Sequence, residues 1–358
     1  MLCCRGFGFA RTCISSHNGA VRSLKMLVVF FLCGGAFLYG AEAPILQKSV
    51  KEKRIPWQAK GEFFCWNTYE NGLEYVYDDV TPLKDHFLLA EEMKIGKFYW
   101  RGGFRVSLAY TFEPDQWQLE AQYGNYDPWH RENHMRHEGR AFQGIFPVYP
   151  LTSLERATSY LSLRTHFADV YLQRMFRATP YLHLTLINAI SGIWFRQRWE
   201  VNYFDSLSKD ANRLNIKNDW NFKGGGPKIG LDMDWLIRWG LGIHSRLCGA
   251  ALFGNLDNRL NIRSYPLAAP MSYIVHTHMD DFRIVTQLQF VLGPTWEYRF
   301  QKWKLSFFVG YELNSFFCIH EVDRQFVFDA TNPQTPTSNF FPGHLHMQGL
   351  STSLTLEF

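Results

Sequence analysis

Residues 344–358 have the sequence HLHMQGLSTSLTLEF. From Leu350 onward, large apolar residues occupy the even positions and polar residues the odd ones, up to Phe358. This period of two is typical of a β-strand with one apolar and one polar face. A terminal segment normally frays unless it is tied into a sheet. We therefore expect this strand to close an antiparallel transmembrane β-barrel, so the predicted fold class is all-β.

The N-terminal region carries the features of an export signal. Arg22 and Lys25 precede an apolar run over residues 26–38, and Ala41-Glu42-Ala43 supplies the small-x-small pattern that a signal peptidase cleaves. The run is shorter than the roughly 20 apolar residues that a membrane-spanning helix needs. The sequence therefore predicts a signal peptide cleaved after Ala43.

Residues 1–20 precede this signal and fit no part of it. We interpret them as an over-extended start, with translation beginning at Val21. Together with the signal they make up residues 1–43. A periplasmic N-terminal segment is then predicted over residues 44–60, and the barrel over residues 61–358.

The composition agrees with an exported barrel. Aromatic residues make up 17% of the chain, whereas the mean hydropathy is slightly negative, at -0.22. Alternate exposure to lipid and water gives this combination, and we find no long helical pattern with caps. The formal net charge of +4 is too small to indicate a nucleic-acid partner.

The clearest strand pattern lies between Phe282 and Phe300, where apolar side chains share the even positions and polar ones the odd positions. Bacterial barrels alternate short periplasmic turns with long outer loops. That rule selects ten strands, and twelve if residues 256–279 add a hairpin. The ten predicted strands are 61–77, 98–112, 116–126, 158–174, 180–203, 220–236, 240–254, 282–299, 304–318 and 344–358.

Charged residues on the predicted inward faces are candidates for a pore wall, since a charged wall can focus ions of one sign. A porin would let small hydrophilic solutes and ions diffuse passively, with a slight preference for anions. The alternative is a structural or adhesive barrel whose paired charges fill the lumen. The pore-lining candidates are Arg105, Glu120, Arg196, Arg198, Glu200, Asp232, Asp234, Arg246, Arg283, Glu297, Arg299, Lys304 and Glu312.

Histidines and cysteines provide the remaining reactive groups. His130, His134, His137 and Glu138 crowd one predicted outer loop, and His276, His278, Asp280 and Asp281 crowd another. Such groups can hold zinc or activate water, but polar loop residues most often face solvent. We therefore predict no catalytic, metal or cofactor site. The three mature cysteines leave at least one thiol unpaired within the chain, or joined between chains in a homo-oligomer; they are Cys65, Cys248 and Cys318.

These segments together resemble the Legionella-type major outer membrane protein family, whose relatives include porin-like proteins of chlamydia-like bacteria. The resemblance implies a pore-forming barrel in the outer membrane of a Gram-negative cell, with no catalytic motif to carry over. It does not identify the solute. From the barrel itself we expect contact with outer-membrane lipid and lipopolysaccharide, and with the barrel assembly machinery through the strand ending at Phe358. The stretches that carry the resemblance are residues 63–73, 102–110, 224–232, 293–297, 310–312 and 348–350.

Overall fold

The computed structural model describes residues 56–79, 91–112, 117–136, 142–144, 154–205, 212–265, 272–300, 303–328 and 336–358. The predicted start and signal peptide, residues 1–43, lie outside these ranges, as do His137 and Glu138. The described part of the chain contains no helix long and apolar enough to cross a membrane.

The described residues form fourteen strands. In chain order they are β1 (Trp57–Glu70), β2 (Glu74–Asp79), β3 (Glu91–Ile95), β4 (Arg101–Phe112), β5 (Trp117–Tyr126), β6 (Trp129–Met135), β7 (Phe142–Gly144), β8 (Arg156–Arg177), β9 (Leu182–Asp205), β10 (Asn212–Arg238), β11 (Leu241–Tyr265), β12 (Ser272–Arg299), β13 (Lys304–Phe328) and β14 (Pro336–Glu357).

Ten of these strands close into one antiparallel ring, in the order β1-β4-β5-β8-β9-β10-β11-β12-β13-β14. The ring closes because β14 pairs back onto β1, from Gln58 opposite Glu357 to Glu70 opposite Leu345. β6 continues the edge of β5 along β8. The prediction of a ten-stranded antiparallel barrel is confirmed. The twelve-strand alternative is wrong, because residues 256–279 lengthen β11 and β12 instead of adding a hairpin.

Three predicted elements differ from the structure. The barrel begins before residue 61, because β1 starts at Trp57 and pairs with β14 from Gln58 onward. The strand predicted over residues 61–77 breaks at Asn71-Gly72, where Gly72 has a φ of 95° and the chain leaves the ring to form β2. The long outer loops are partly strand, since β10, β11 and β12 contain 27, 25 and 28 residues. A tilted strand needs only about 9–11 residues to cross a bilayer. The barrel wall therefore continues well beyond the membrane.

The shortest connections between neighbouring strands of the ring lie at the end of the barrel that carries Trp57 and Phe358, which marks that end as periplasmic. The tightest is the Trp239-Gly240 turn between β10 and β11, with φ values of 55° and 78°. Two positive φ angles define a type I′ turn, whose twist matches that of the strands. A side chain at Gly240 would also collide with the Glu297 carbonyl oxygen.

The outward side chains divide the barrel into two zones. We call residues 168–176, 184–194, 225–237 and 241–253 the belt, because their outward side chains are mostly apolar and exposed. We call residues 156–166, 196–205, 212–223 and 255–265 the outer extension, because their outward side chains are mostly polar. Exposed aromatic residues edge the belt on its periplasmic side, as in other outer-membrane barrels; they include Trp57, Phe112, Tyr181, Trp235, Trp239, Trp296, Tyr298 and Phe300.

The inner face of the outer extension holds the hydrophobic core. The small sheet β3-β2-β7 packs there, with Leu73, Tyr75 and Phe98 almost fully buried. The Tyr203 hydroxyl, from β9, donates a hydrogen bond to the Tyr75 carbonyl oxygen. The described residues between β1 and β4, 71–79 and 91–100, thus fold against the inside of the wall.

Candidate functional site

A buried ion-pair network inside the barrel joins strands that are not neighbours in the ring. Arg105 on β4 pairs with Glu62, with 2.7 Å between Nη2 and Oε1, and with Glu312 on β13. Glu312 also accepts hydrogen bonds of 2.8 Å from Gln289 and 2.7 Å from Ser351. Because β1 and β14 lie between β4 and β13 in the ring, this network reaches across the lumen.

A second polar group fills the other side of the lumen at a similar depth. The Lys228 ammonium lies 3.3 Å from the Asp169 carboxylate, which also accepts a 2.7 Å hydrogen bond from the Tyr171 hydroxyl. Arg246 donates two hydrogen bonds, of 2.8 and 2.7 Å, to the Asp232 carboxylate. A bidentate pair of this kind fixes both side chains.

Closer to the periplasmic rim the charges are also paired. His244 lies 2.6 Å from Asp234, and Lys304 lies 3.1 Å from both Glu297 and Glu357. These groups are partly exposed, whereas Arg105, Asp169, Lys228 and Glu312 are buried. The lumen therefore becomes drier from the periplasmic rim toward the middle of the barrel.

The outer extension is closed from inside by aromatic contacts. Phe195 on β9 meets Phe316 on β13 with ring centroids 5.0 Å apart. Gln197 on β9 donates a 2.8 Å hydrogen bond to Glu70 on β1. In the ring order three strands separate β9 from each of these partners, so residues on opposite sides of the barrel touch. Side chains from opposite walls thus meet inside the barrel at this level.

A buried histidine completes this layer. The His320 ring lies 2.7 Å from a Glu70 carboxylate oxygen and stacks on Trp220 with centroids 5.2 Å apart. His320 and Glu70 are both inaccessible to solvent. Removal of either side chain would leave the other as an unpaired polar group in an aromatic core, which is costly.

Most of the predicted pore-wall residues point into the barrel. Arg299 shares their parity but is exposed at the periplasmic end. Glu120, for example, accepts a 2.8 Å hydrogen bond from Gln173, and Arg283 is largely covered beside Asp281. The inward residues are Arg105, Glu120, Asp232, Asp234, Arg246, Arg283, Glu297, Lys304 and Glu312.

The predicted inward orientation of Arg196, Arg198 and Glu200 is wrong. β9 leaves the belt at Trp194, and above that residue the outside of the barrel faces water while the inside holds the aromatic core. The three charged side chains therefore lie on the outer face, where Arg198 contacts Asp219 at 3.2 Å. The predicted inner wall loses two arginines and one glutamate with this correction, which reduces its expected excess of positive charge by one.

The sequence reasoning missed several lumen residues. Lys228 shares the parity of Asp232 and Asp234 on β10, so the same alternation could have found it. Asp169 and Glu62 lie in segments whose alternation is weaker. No local signal pairs Glu70 with His320, because 250 positions separate them in the chain.

The described members of the two histidine groups lie on strands and not in loops. On β6, His130 and His134 flank Glu132 at 3.7 and 3.5 Å, and the Tyr75 hydroxyl donates a 3.3 Å hydrogen bond to the same carboxylate. Burial and the Glu132 charge raise the pKa of Tyr75. Burial, helped by the nearby Arg101 charge, lowers the pKa of His130 although Glu132 opposes this.

The second histidine group faces outward on β12. His276 lies 2.6 Å from Asn261, and His278 lies 3.1 Å from Asp257. Across the described ranges, no set of three histidine, cysteine or acidic side chains is placed to hold a metal ion. Within the same ranges, Cys65, Cys248 and Cys318 form no disulfide. Cys248 is buried on the inner wall.

A closed ring of amphipathic strands with an apolar belt, an aromatic edge and a polar outer extension defines an outer-membrane β-barrel protein. Within this class of proteins, the sequence identifies the family. The model of the family described as the Legionella pneumophila major outer membrane protein precursor matches residues 49–341, and the chain belongs to this family. The expected outer-membrane location is confirmed with it. No curated protein sequence matches the chain significantly.

Three solved structures with a similar course of the chain are distant in sequence. The outer membrane protease OmpT from Escherichia coli is 9% identical, with 86% of this chain and 98% of that chain covered and a TM-score of 0.44. The translocator domain of the autotransporter NalP from Neisseria meningitidis is 8% identical, with 95% and 97% covered and a TM-score of 0.31. A FadL homologue from Pseudomonas aeruginosa is 8% identical, with 85% and 90% covered and a TM-score of 0.25. Similarities this low carry no argument about function.

Proposed function

We propose that this chain forms an outer-membrane barrel that is closed to solutes and that acts through the surface of its outer extension. The contact between opposite walls supports this proposal most directly. Phe195 meets Phe316, and Gln197 meets Glu70, across the width of the ring. Below them, Arg105 and Glu312 join in a buried network. A ten-stranded barrel is close to the size at which side chains alone fill the interior.

The outer extension supplies a surface of the required kind. Its outward side chains are polar on four neighbouring strands, and several are held by ion pairs such as Arg198 with Asp219 and Arg259 with Asp257. The strands continue without a break from the belt, so the extension is as regular as the membrane wall. Such a surface suits a structural or adhesive role in the cell envelope. The proposal assigns no catalytic step to the chain.

Passive diffusion of small hydrophilic solutes is the second candidate. One observation favours it: the inner wall of the periplasmic half is polar and charged. Water could enter this part of the lumen without any rearrangement, because its lining includes Asp234, His244, Glu297 and Lys304. Conduction through the whole barrel would also require the Phe195–Phe316 layer to open. Homo-oligomer formation and an intermolecular disulfide stay predictions.

Planar bilayer recording on the purified, folded chain separates the two candidates. We expect no stepwise conductance over many insertion attempts, because the filled layers leave no continuous water path. Insertion must be verified independently, by protease protection and by the heat-dependent gel mobility of a folded barrel. A known open porin reconstituted in the same membranes provides the positive control. Steady ohmic steps from the wild-type chain would overturn the closed-barrel proposal and favour diffusion.

A further inference from the structure

A groove indents the outer face of the wall where the belt meets the outer extension. It spans β8, β9, β10 and β11 and encloses a cavity of about 520 Å³. Arg164, Arg196, Lys223 and Trp194 contribute to its lining. The groove therefore brings three cationic side chains and one interfacial aromatic residue together on the outside of the barrel.

Two of the cations, Arg164 and Arg196, repel each other when no anion lies between them. Arg164 on β8 and Arg196 on β9 are direct partners in the strand register, and both are exposed. Like charges directly opposite each other destabilise a sheet. Lys223 lies on the neighbouring strand β10, opposite Trp194. An anion between these groups would remove the repulsion.

The nearby carboxylates neutralise the groove only in part. Asp127 lies 3.6 Å from Arg164, and both side chains are at least half exposed. Asp257 directs both of its oxygens to Arg259, at 3.0 and 2.8 Å. In the ranges that the structure describes, no carboxylate contacts Arg196 or Lys223. The groove thus keeps an excess of positive charge.

The height of the groove on the wall indicates what the anion belongs to. Ile190 and Ile229 in the belt below are 72% and 65% exposed, as expected of residues that face acyl chains. Trp194 is the last outward residue of the belt on β9, and tryptophan is enriched where acyl chains meet headgroups. Arg196 is the next outward residue. The cations therefore lie at the level of the lipid headgroups.

We propose that this groove binds a phosphate group of an anionic lipid in the outer leaflet. Arg164 and Arg196 hold the phosphate oxygens, because a guanidinium matches phosphate with two parallel hydrogen bonds. Lys223 adds a point charge, and Trp194 packs against the start of an acyl chain. The site faces the membrane and not the lumen, so it does not depend on whether the barrel conducts.

Native mass spectrometry of the full chain in detergent tests the site with diphosphoryl lipid A as the probe. We expect one retained lipid per chain on the wild type, and weakening by roughly tenfold or more in the double variant Arg164→Gln/Arg196→Gln, since each basic residue contributes to headgroup binding. The matched control is Arg198→Gln/Lys217→Gln. It removes the same charge from the same face, but from residues already paired with Asp219. We expect that control to stay within about twofold of the wild type.

A second comparison uses only the wild-type chain and so does not depend on how the variants fold. Lipid A from which both phosphates have been removed should bind as weakly as diphosphoryl lipid A binds to the double variant. Inorganic phosphate should not displace the bound lipid at equal concentration. Equal binding of both lipids, or equal loss in the two double variants, would overturn the proposal. Displacement by inorganic phosphate would do the same, because the site would then recognise the free anion.

Discussion

The belt and the outer extension lie on the same four strands, β8 to β11, with opposite polarity. In the belt, apolar side chains such as Val170 and Ile229 face outward, while Asp169, Lys228 and Asp232 face the lumen. In the outer extension the order is reversed: arginines and aspartates face outward, and tryptophan, phenylalanine and leucine fill the inside. The medium around the wall changes between the two zones from lipid to water, and the interior changes from polar to apolar.

This difference shows what alternation along a strand does and does not encode. A period of two specifies two faces, but it does not say which face meets the surrounding solvent. On β9 the alternation continues through Trp194 without a break in register. Beyond Trp194, the even-numbered side chains still point outward and the odd-numbered ones inward. The outward side chains there are mostly polar, and the inward ones are mostly apolar. The outer extension is therefore built like a water-soluble barrel on top of a membrane barrel.

The largest expected effect comes from the core of the outer extension. Phe195→Ala should lower the free energy of unfolding by about 3–5 kcal/mol, because a buried aromatic side chain is removed and a cavity is left. Arg196→Ala, at the next position but on the outer face, should change it by less than about 0.5 kcal/mol. Urea titration of the folded barrel in uncharged detergent measures both. A large cost at Arg196 with a small cost at Phe195 would mean that β9 faces the other way.

The sequence predicts β12 well and the upper part of β9 poorly, for one physical reason. Between Phe282 and Phe300 the wall crosses the membrane, so apolar even positions face outward as expected. On β9, the assumption that apolar side chains always face outward predicts that Arg196 points inward. That assumption fails there because it treats the whole strand as membrane-embedded. The ten-strand count follows from turn chemistry and connection lengths. Contacts such as Glu70 with His320 depend on closure of the ring and leave no local trace.

A smaller effect should distinguish the outward face of the belt from the outward face of the outer extension on one strand, β8. Val170 and Thr158 both point outward on β8, Val170 in the belt and Thr158 in the outer extension. Val170→Arg should cost about 2–4 kcal/mol, since arginine near the middle of the bilayer is poorly solvated. Thr158→Arg should cost less than about 0.5 kcal/mol, because its side chain reaches water. Equal costs in refolding experiments in lipid vesicles would remove the boundary that we place between the zones.

The smallest expected effect concerns pH and the inward histidine of β6. His130 faces Glu132 and His134 on its own strand, Arg101 on β4 and the Tyr99 ring, whose centroid lies 4.0 Å away. Burial and Arg101 lower its pKa below the ordinary value of 6.5. The unfolded chain therefore binds the proton more readily than the folded one, so folding stability should fall as the pH drops through 6.5 toward the folded pKa.

Urea titrations at several pH values between neutral and mildly acidic, on the wild type and on His130→Gln, isolate this contribution. The variant removes the titrating group but keeps a polar side chain, so its stability should depend less steeply on pH. His278→Gln is the matched control, since His278 lies exposed on the outer face beside Asp257. That change should leave the acid-induced loss of stability in place. If His130→Gln kept the full loss, acid sensitivity would arise elsewhere, and the outer extension would be indifferent to protonation at β6.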